Sequence, residues 1–162
     1  MSKILIVGLK DAYFIDHKLN RSFDKEILDN RNEKHPNKKK RPVVAILLLK
    51  YKGKKQGFAI PFRSNIPSGC PDTDCFVLPV RKTTKQGKKH GLHLVKMLPV
   101  DKRFFEKYIL EISDMKSKEY IEANKETLIR AAQSYLDRFE QGERPLDSVD
   151  IDKVYNAVYG QQ

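Results

Sequence analysis

The chain has 162 residues, 40% of them hydrophobic, which is enough for one domain over its whole length with a sizeable core. No apolar stretch approaches the roughly 20 residues of a membrane helix, and no signal peptide is recognisable, so we expect a cytoplasmic protein. The formal net charge of +11 is uneven, because residues 31–100 carry seventeen basic and three acidic side chains. This polycationic segment predicts an anionic polymer or an acidic surface as partner, although a solvated basic face without a partner is the alternative.

The first half of the chain is dominated by two apolar runs. Before them, residues 3–9 predict a strand, residues 19–29 carry apolar side chains at helical spacing, and residues 29–40 predict an exposed polar loop. The run at 43–49 is aliphatic and β-branched and predicts a buried strand, and the run at 58–62 predicts a second. Two glycines between the runs can adopt the positive φ of a tight turn, so we expect a hairpin with a cationic tip.

The second half changes from strand patterns to helical spacing. We expect, in chain order, a strand at 75–80, a cationic loop at 81–89, a strand with a bulge at 91–100, and helices at 101–113, 115–141 and 148–159. The aromatic residues of the two longer helices predict core positions rather than a binding surface. Because strands come first and helices follow, the pattern predicts an α+β fold rather than an alternating α/β fold.

The two cysteines lie in a loop rich in proline, aspartate and glycine. Cys70 and Cys75 have Cys-x₄-Cys spacing with no matching second pair, whereas a structural zinc site needs four ligands in two short spacings. We therefore expect two free thiols, and neither a metal nor another cofactor.

The end of the second apolar run carries the side chains that suggest chemistry. Arg63, Ser64 and Asn65 follow it directly, and a guanidinium beside a hydroxyl on a rigid strand end suits a phosphate. RNA can be cleaved without a metal when a protein activates the 2′-hydroxyl and stabilises the charge that grows on the phosphoryl group. The basic region contains only three acids, which disfavours the carboxylate pair of a two-metal nuclease.

Cleavage of this kind needs cationic clamps and a group that transfers protons. Arg63 and Arg41 are the candidate clamps. The candidates for proton transfer are Lys96, His93 and Tyr13. Two structural alternatives remain open, because Arg63 could pair with an acid of the C-terminal helices and His93 could be a buried, hydrogen-bonded histidine.

The other polar and cationic side chains are candidate RNA contacts. The predicted RNA-binding residues are Lys38, Lys39, Lys40, Lys52, Lys54, Lys55, Asn65, Arg81, Lys85, Lys88 and Lys89. Apart from Asn65, they come from the polar loop, the hairpin tip and the cationic loop, where phosphates could reach them. A non-catalytic RNA-binding module would use the same residues, so it is the alternative function.

The order and spacing of four segments resemble a known family. The chain resembles the toxins of type III toxin–antitoxin systems, the ToxN, AbiQ, CptN and TenpN group, and most closely the CptN and TenpN branch. The resemblance rests on the segments 41–49, 58–65 (FAIPFRSN), 91–96 (GLHLVK) and 122–124 (EAN), and it extends from about residue 3 to residue 142.

The resemblance implies a fold, an activity and a partner. The fold would be a compact, strongly twisted antiparallel sheet flanked by helices, similar to the MazF/Kid toxin fold. The activity would be that of a metal-independent, sequence-specific endoribonuclease that leaves 2′,3′-cyclic phosphate and 5′-hydroxyl ends. The partner would be a tandem-repeat RNA antitoxin, which the toxin processes into pseudoknotted units and which assembles with toxin copies into a closed complex.

The resemblance also assigns site residues. The family's hydroxyl pair falls on Arg63 and Ser64, of which only Ser64 carries a hydroxyl. The family's basic residue before the first central strand falls on Arg41 or Lys40. Arg63 would stabilise the phosphorane, Ser64 would orient the 2′-hydroxyl or the scissile phosphate, and Arg41 or Lys40 would contact the neighbouring phosphate. The position of the family's lysine carries no basic residue here, which leaves the proton-transfer candidates open.

Overall fold

The structure, a computed structural model, describes residues 4–17 and 40–160. Its strands are β1 (Ile4–Leu9), β2 (Val43–Tyr51), β3 (Lys54–Pro67), β4 (Cys75–Leu78), β5 (Lys88–His93), β6 (Leu98–Pro99) and β7 (Phe105–Glu106). Its helices are α1 (Asp11–Asp16), α2 (Ile112–Ala123), α3 (Lys125–Glu140) and α4 (Ile151–Tyr159). The strands form one antiparallel sheet in the order β4-β5-β3-β2-β1-β7, with β6 paired to β3. The predicted α+β class is confirmed.

The predicted hairpin is the centre of this sheet. β2 and β3 pair from Val43↔Pro61 to Tyr51↔Lys54, so the turn is shorter than the spacing of the apolar runs suggested. Lys52 and Gly53 make the turn, with φ of 53° and 75°. Such positive φ values at both turn residues match the twist of paired strands, and the glycine adopts its value at little cost.

The segment 91–113 differs from its prediction. β5 ends at His93, and a 3-10 turn at Leu94–Lys96 leads into β6, which pairs with β3. The helix expected at 101–113 is wrong, because only a 3-10 turn forms at Lys102–Phe104 and β7 then pairs with β1. Pairing of β7 with an open strand edge outweighs the local helical spacing. Ile109 and Ile112, which contributed to that helical spacing, are 67% and 94% exposed.

The C-terminal helices cover the sheet. The helix expected at 115–141 is two helices, since Asn124 between α2 and α3 has φ of −117°. Gln133 fixes α3 to the sheet, because its side-chain amide exchanges two hydrogen bonds of 2.9 Å with the backbone of Lys50. The expected aromatic core positions are confirmed for Tyr135 and Phe139, both 1% exposed, and wrong for Tyr120, which is 39% exposed.

α4 forms as predicted, with Asp150 as its N-cap. The predicted helix at 19–29, and the predicted loop at 29–40 except its last residue, lie outside the described residues. None of the helices within residues 4–17 and 40–160 is long and apolar enough to cross a membrane.

Candidate active site

A cavity of about 400 Å³ lies where the end of β3, β5 and the start of α2 meet. The chain entering β2 and the loop between β4 and β5 complete its walls. Its lining includes arginines, hydroxyl groups, two carboxyl groups and a histidine. A concave site with convergent polar groups and fixed cations suits a ligand that contains a phosphate.

Strand β3 separates two neighbours that the sequence suggested would act together. Phe62, Ser64 and Asn65 line the cavity and Arg63 does not, because side chains alternate between the two faces from Phe62 to Ser64 and the pairing with β5 becomes irregular after Arg63. The Arg63 guanidinium instead lies 3.0 Å from Nδ1 of His93, which is also outside the cavity lining. The expectation that Arg63 and Ser64 act on the same linkage therefore does not match the geometry.

Ser64 meets a second hydroxyl group. Thr83, in the loop between β4 and β5, donates a hydrogen bond from Oγ1 to Ser64 Oγ at 3.2 Å. Asn65 holds this loop, because its side chain accepts from the backbone N–H of Lys85 at 2.7 Å and donates to the carbonyl of Thr83 at 3.3 Å. Thr83 thus places a second hydroxyl beside Ser64. No pattern in the sequence marked it.

Two arginines line the cavity. Arg41 comes from the chain just before β2, and Arg81 comes from the loop after β4. Nη2 of Arg81 lies 3.2 Å from the carboxylate of Asp114 and donates to Oγ of Ser113 at 2.7 Å. These contacts fix the direction of the Arg81 guanidinium, and a fixed planar fork is suited to phosphate oxygens.

Asp114 organises the wall formed by α2. Its carboxylate accepts the backbone N–H of Glu111 at 2.8 Å, which forms part of the capping box of the helix. It also accepts the hydroxyl of Tyr108 at 3.5 Å. Burial, followed by the charge of Asp114, raises the pKa of Tyr108 to about 12. The phenol therefore remains a protonated hydrogen-bond donor in the cavity wall near neutral pH.

His90 is the imidazole of the cavity lining. Its ring is 1% exposed and stacks on Phe62, with the ring centroids 6.4 Å apart. Nδ1 donates to the carbonyl of Pro79 at 2.7 Å, which leaves the lone pair on Nε2. Burial lowers the pKa of His90, so the ring is neutral near pH 7. No sequence signal marked it, because its partners come from other strands.

The other predicted catalytic residues meet on the opposite face of β3 and β5. His93 accepts from Arg63 through Nδ1, and its Nε2 lies 3.9 Å from Sγ of Cys70. Burial, followed by the charges of Arg63 and Lys96, lowers the pKa of His93 to about 4. Lys96 donates to the carbonyl of Asp147 at 2.7 Å. His93 is thus the buried, hydrogen-bonded histidine of the structural alternative, and Arg63 pairs with it rather than with a helix acid.

Two further candidates have structural roles. Lys40 forms ion pairs of 2.9 Å with Asp11 and 3.3 Å with Glu106, and its ammonium group also donates to a backbone carbonyl of β1. It therefore ties the chain before β2 to β1 and β7. Tyr13 is 0% exposed, and its hydroxyl donates to the carbonyl of Pro99 at 2.7 Å. The ammonium group of Lys40 and the hydroxyl of Tyr13 are thus both engaged within the protein.

The predicted RNA-contacting lysines lie in two regions. Lys52, Lys54 and Lys55 are exposed at the hairpin tip, at the other end of β3 from Ser64. Ten residues of strand correspond to roughly 33 Å, so this tip is far from the cavity. Lys85 and Lys88 are exposed, and Lys89 donates to the carbonyl of Cys70 at 2.9 Å. Lys38 and Lys39 lie outside the described residues.

The loop cysteines have no metal partners in the part of the chain that the structure describes. Cys70 and Cys75 are free thiols, and burial raises the pKa of Cys75 to about 12. No group of three or more His, Cys, Asp or Glu side chains within residues 4–17 and 40–160 is arranged to hold a metal ion.

Comparison with known proteins identifies this fold. No model of a known protein family matches the chain, and no curated protein matches its sequence. The structure is similar to one from work on a bacterial antiviral system regulated by a processed non-coding RNA, with a TM-score of 0.63 and 13% identity over 93% of this chain and 94% of that chain. It is also similar to one from work on bacterial type III toxin–antitoxin systems, in which a non-coding RNA pseudoknot selectively inhibits the toxin. That TM-score is 0.52, with 14% identity over 95% of both chains.

The match extends over nearly the whole length of both solved structures. The chain therefore has the α+β fold of type III toxin–antitoxin structures, and the predicted resemblance is confirmed at the level of the fold. The similarity shows the fold and does not distinguish the CptN and TenpN branch. The predicted likeness to the MazF/Kid fold stays a prediction.

Proposed function

We propose that the protein is the toxin of a type III toxin–antitoxin system and acts as a metal-independent, sequence-specific endoribonuclease. The observation that carries this proposal is the cavity, in which the hydroxyls of Ser64 and Thr83 lie 3.2 Å apart and share one lining with Arg41 and Arg81. Hydroxyl donors and fixed guanidinium groups are what a phosphodiester needs for binding and for charge stabilisation.

The proposed reaction uses the nucleophile that RNA carries. The 2′-oxygen attacks the adjacent phosphorus, and the products are a 2′,3′-cyclic phosphate and a 5′-hydroxyl. Arg41 and Arg81 stabilise the negative charge that develops on the phosphoryl oxygens. Ser64, oriented by Thr83, positions the scissile phosphate or the 2′-hydroxyl. The two guanidinium groups supply the positive charge that metal ions supply in two-metal nucleases.

The proposed inhibitor is an RNA antitoxin. The work on one similar structure describes a toxin inhibited by a non-coding RNA pseudoknot, and the work on the other a system regulated by a processed non-coding RNA. For this chain we extend the same scheme: a tandem-repeat RNA is processed by the toxin, occupies the cavity and assembles with toxin copies into a closed complex. The exposed lysines at the hairpin tip support this scheme, because they give a large RNA a second region to contact. Such a pair would act in the cytoplasm, in phage defence.

The test is RNA cleavage in EDTA. Purified protein is incubated with total RNA, and new ends are detected by kinase labelling without phosphatase treatment, which reports 5′-hydroxyl groups. We expect labelled fragments from the wild type and about 10²–10³-fold fewer from Ser64→Ala. Ser68→Ala, an exposed serine outside the cavity lining, is the matched control and should cleave as the wild type does. RNA binding without new ends would instead support the non-catalytic RNA-binding module.

A further inference from the structure

His90, which lines the cavity, carries a buried nitrogen that no described protein group satisfies. Nε2 of His90 has no hydrogen-bond partner in the described part of the chain. The ring cannot turn freely to find one, because Nδ1 is bonded to the carbonyl of Pro79 and one face packs on Phe62. A buried acceptor without a partner costs stability. The imidazole therefore calls for an explanation that packing does not provide.

The position of His90 gives that explanation. The ring shares the cavity lining with Ser64 and Arg41, on the face of β5 opposite to His93. The bond from Nδ1–H to a backbone carbonyl fixes the tautomer, so Nε2 carries the lone pair and can accept a proton. Both carboxylates of the lining are already engaged, since Asp114 binds Arg81 and the backbone N–H of Glu111, and Glu111 accepts the backbone N–H of Asp114 in the capping box.

We propose that Nε2 of His90 is the general base that takes the proton of the RNA 2′-hydroxyl. The assignment rests on the proposed endoribonuclease function and names the catalytic group that this function leaves open. From the sequence we expected this role for Lys96, His93 or Tyr13, but these three residues do not line the cavity.

The proposed step is an intramolecular transesterification. The proton of the 2′-hydroxyl moves to Nε2 while the 2′-oxygen forms a bond to phosphorus. The bond between phosphorus and the 5′-oxygen breaks, and the departing oxygen takes a proton from water. The imidazolium then returns its proton to the hydroxide that remains, which restores neutral His90. No oxidant, reductant or metal enters the step.

Burial and the surrounding polar and charged groups together set the protonation state of His90. The loop after β4 contributes Arg81, α2 contributes Asp114, and the segment before α2 contributes Tyr108 and Glu111; Arg41 enters from the chain before β2. Burial and the charge of Arg81 lower the pKa of His90, and the Pro79 carbonyl and Asp114 oppose them. Burial has the largest effect, so the free enzyme presents a neutral base near pH 7.

The experiment compares His90→Asn with His17→Asn. An asparagine amide can still donate to the Pro79 carbonyl as Nδ1 does, but it has no group at the Nε2 position. His17 is the matched control, because its ring nitrogen also bonds a backbone carbonyl, that of Tyr13 at 2.8 Å, and it does not line the cavity. The readouts are kcat/KM for RNA cleavage in EDTA between pH 4.5 and 8, and the affinity for an RNA with a 2′-deoxy sugar at the cut site.

We expect kcat/KM to fall roughly 10²–10⁴-fold in His90→Asn, the usual contribution of a general base. Affinity for the 2′-deoxy RNA should stay within about twofold of the wild type. In the wild type and in His17→Asn, kcat/KM should decline at acid pH with a midpoint below 6.5, the ordinary pKa of histidine, because burial lowers the pKa of His90, and this decline should disappear in His90→Asn. A structural role alone would not remove the pH dependence.

Three outcomes would overturn the assignment. One is a folded His90→Asn variant with wild-type kcat/KM, and a second is an unchanged pH profile in that variant. The third is a wild type whose kcat/KM shows no decline at acid pH; it needs no variant, so the assignment stays falsifiable even if His90→Asn does not fold. A wild type that cleaves no RNA would overturn the proposed function as well. A wild type that cleaves RNA together with any of the three outcomes would overturn only the assignment of His90 as the general base.

Discussion

At the scale of single residues, the alternation of side chains along β3 decides which arginine meets the substrate. Arg41 lines the cavity, whereas Arg63 contacts His93 on the opposite face. We expect Arg41→Ala to lower RNA cleavage about 10²-fold or more, and Arg63→Ala to lower it much less, when initial rates are compared at fixed RNA concentration. A larger loss of cleavage in Arg63→Ala than in Arg41→Ala would contradict this assignment and would place the reaction on the face of β3 that carries Arg63.

His93 makes the stability of the protein depend on pH. Its pKa of about 4 in the folded protein lies below the ordinary value near 6.5 in the unfolded chain. Between these values the unfolded chain binds more protons, so the free energy of unfolding should fall as the pH drops from 6.5 towards 4. We expect urea unfolding of His93→Gln to show a smaller difference between pH 7 and pH 5 than the wild type. Equal differences would contradict a neutral, buried His93.

The sequence identified part of the candidate site and missed the rest for a physical reason. Ser64 and Arg41 could be predicted, because each adjoins an apolar run whose strand character is plain. Thr83, His90 and Asp114 could not, because they come from a loop, a strand and a helix that only the fold brings to one cavity. The spacing of these three residues along the chain does not indicate that they lie in the same cavity.

At the scale of elements, β5 is positioned by a close approach of two backbones. A side chain on Gly91 would bring its Cβ within 2.4 Å of the carbonyl oxygen of Phe76 on β4. We expect Gly91→Ala to lower the free energy of unfolding by about 1–3 kcal/mol and to reduce RNA cleavage, because β5 carries His90. Gly69→Ala is the matched control, since nothing lies within 4 Å of its Cβ position. Equal urea midpoints for the two variants would contradict this account of β5.

The fold could be predicted where local patterns and tertiary contacts agree. The hairpin of β2 and β3 follows from two apolar runs and a glycine turn, and these strands are central in the sheet. The helix expected at 101–113 failed, because β7 pairs with β1 instead of continuing a local helical pattern. The spacing of apolar residues within 101–113 cannot indicate that this segment will pair with a strand that is distant in sequence.

At the scale of the whole molecule, the two basic regions should act separately. The hairpin tip is roughly 33 Å from the cavity along β3. We expect Lys54→Gln combined with Lys55→Gln to weaken the binding of a long RNA. The slope of log Kobs against log salt concentration should become shallower by up to about two. Cleavage of a short oligonucleotide should be unchanged, because it cannot reach the tip. An equal loss for both substrates would contradict the separation.

We expect the cavity between β3, β5 and α2 to hold the scissile phosphate. The most direct measurement is a crystal structure of the protein bound to an RNA that carries a 2′-deoxy sugar at the cut site. We predict the phosphate within hydrogen-bonding distance of Ser64 Oγ and of at least one guanidinium group, Arg41 or Arg81, with the 2′ carbon facing Nε2 of His90. A phosphate bound beside Arg63 and His93, with the cavity empty, would contradict the account.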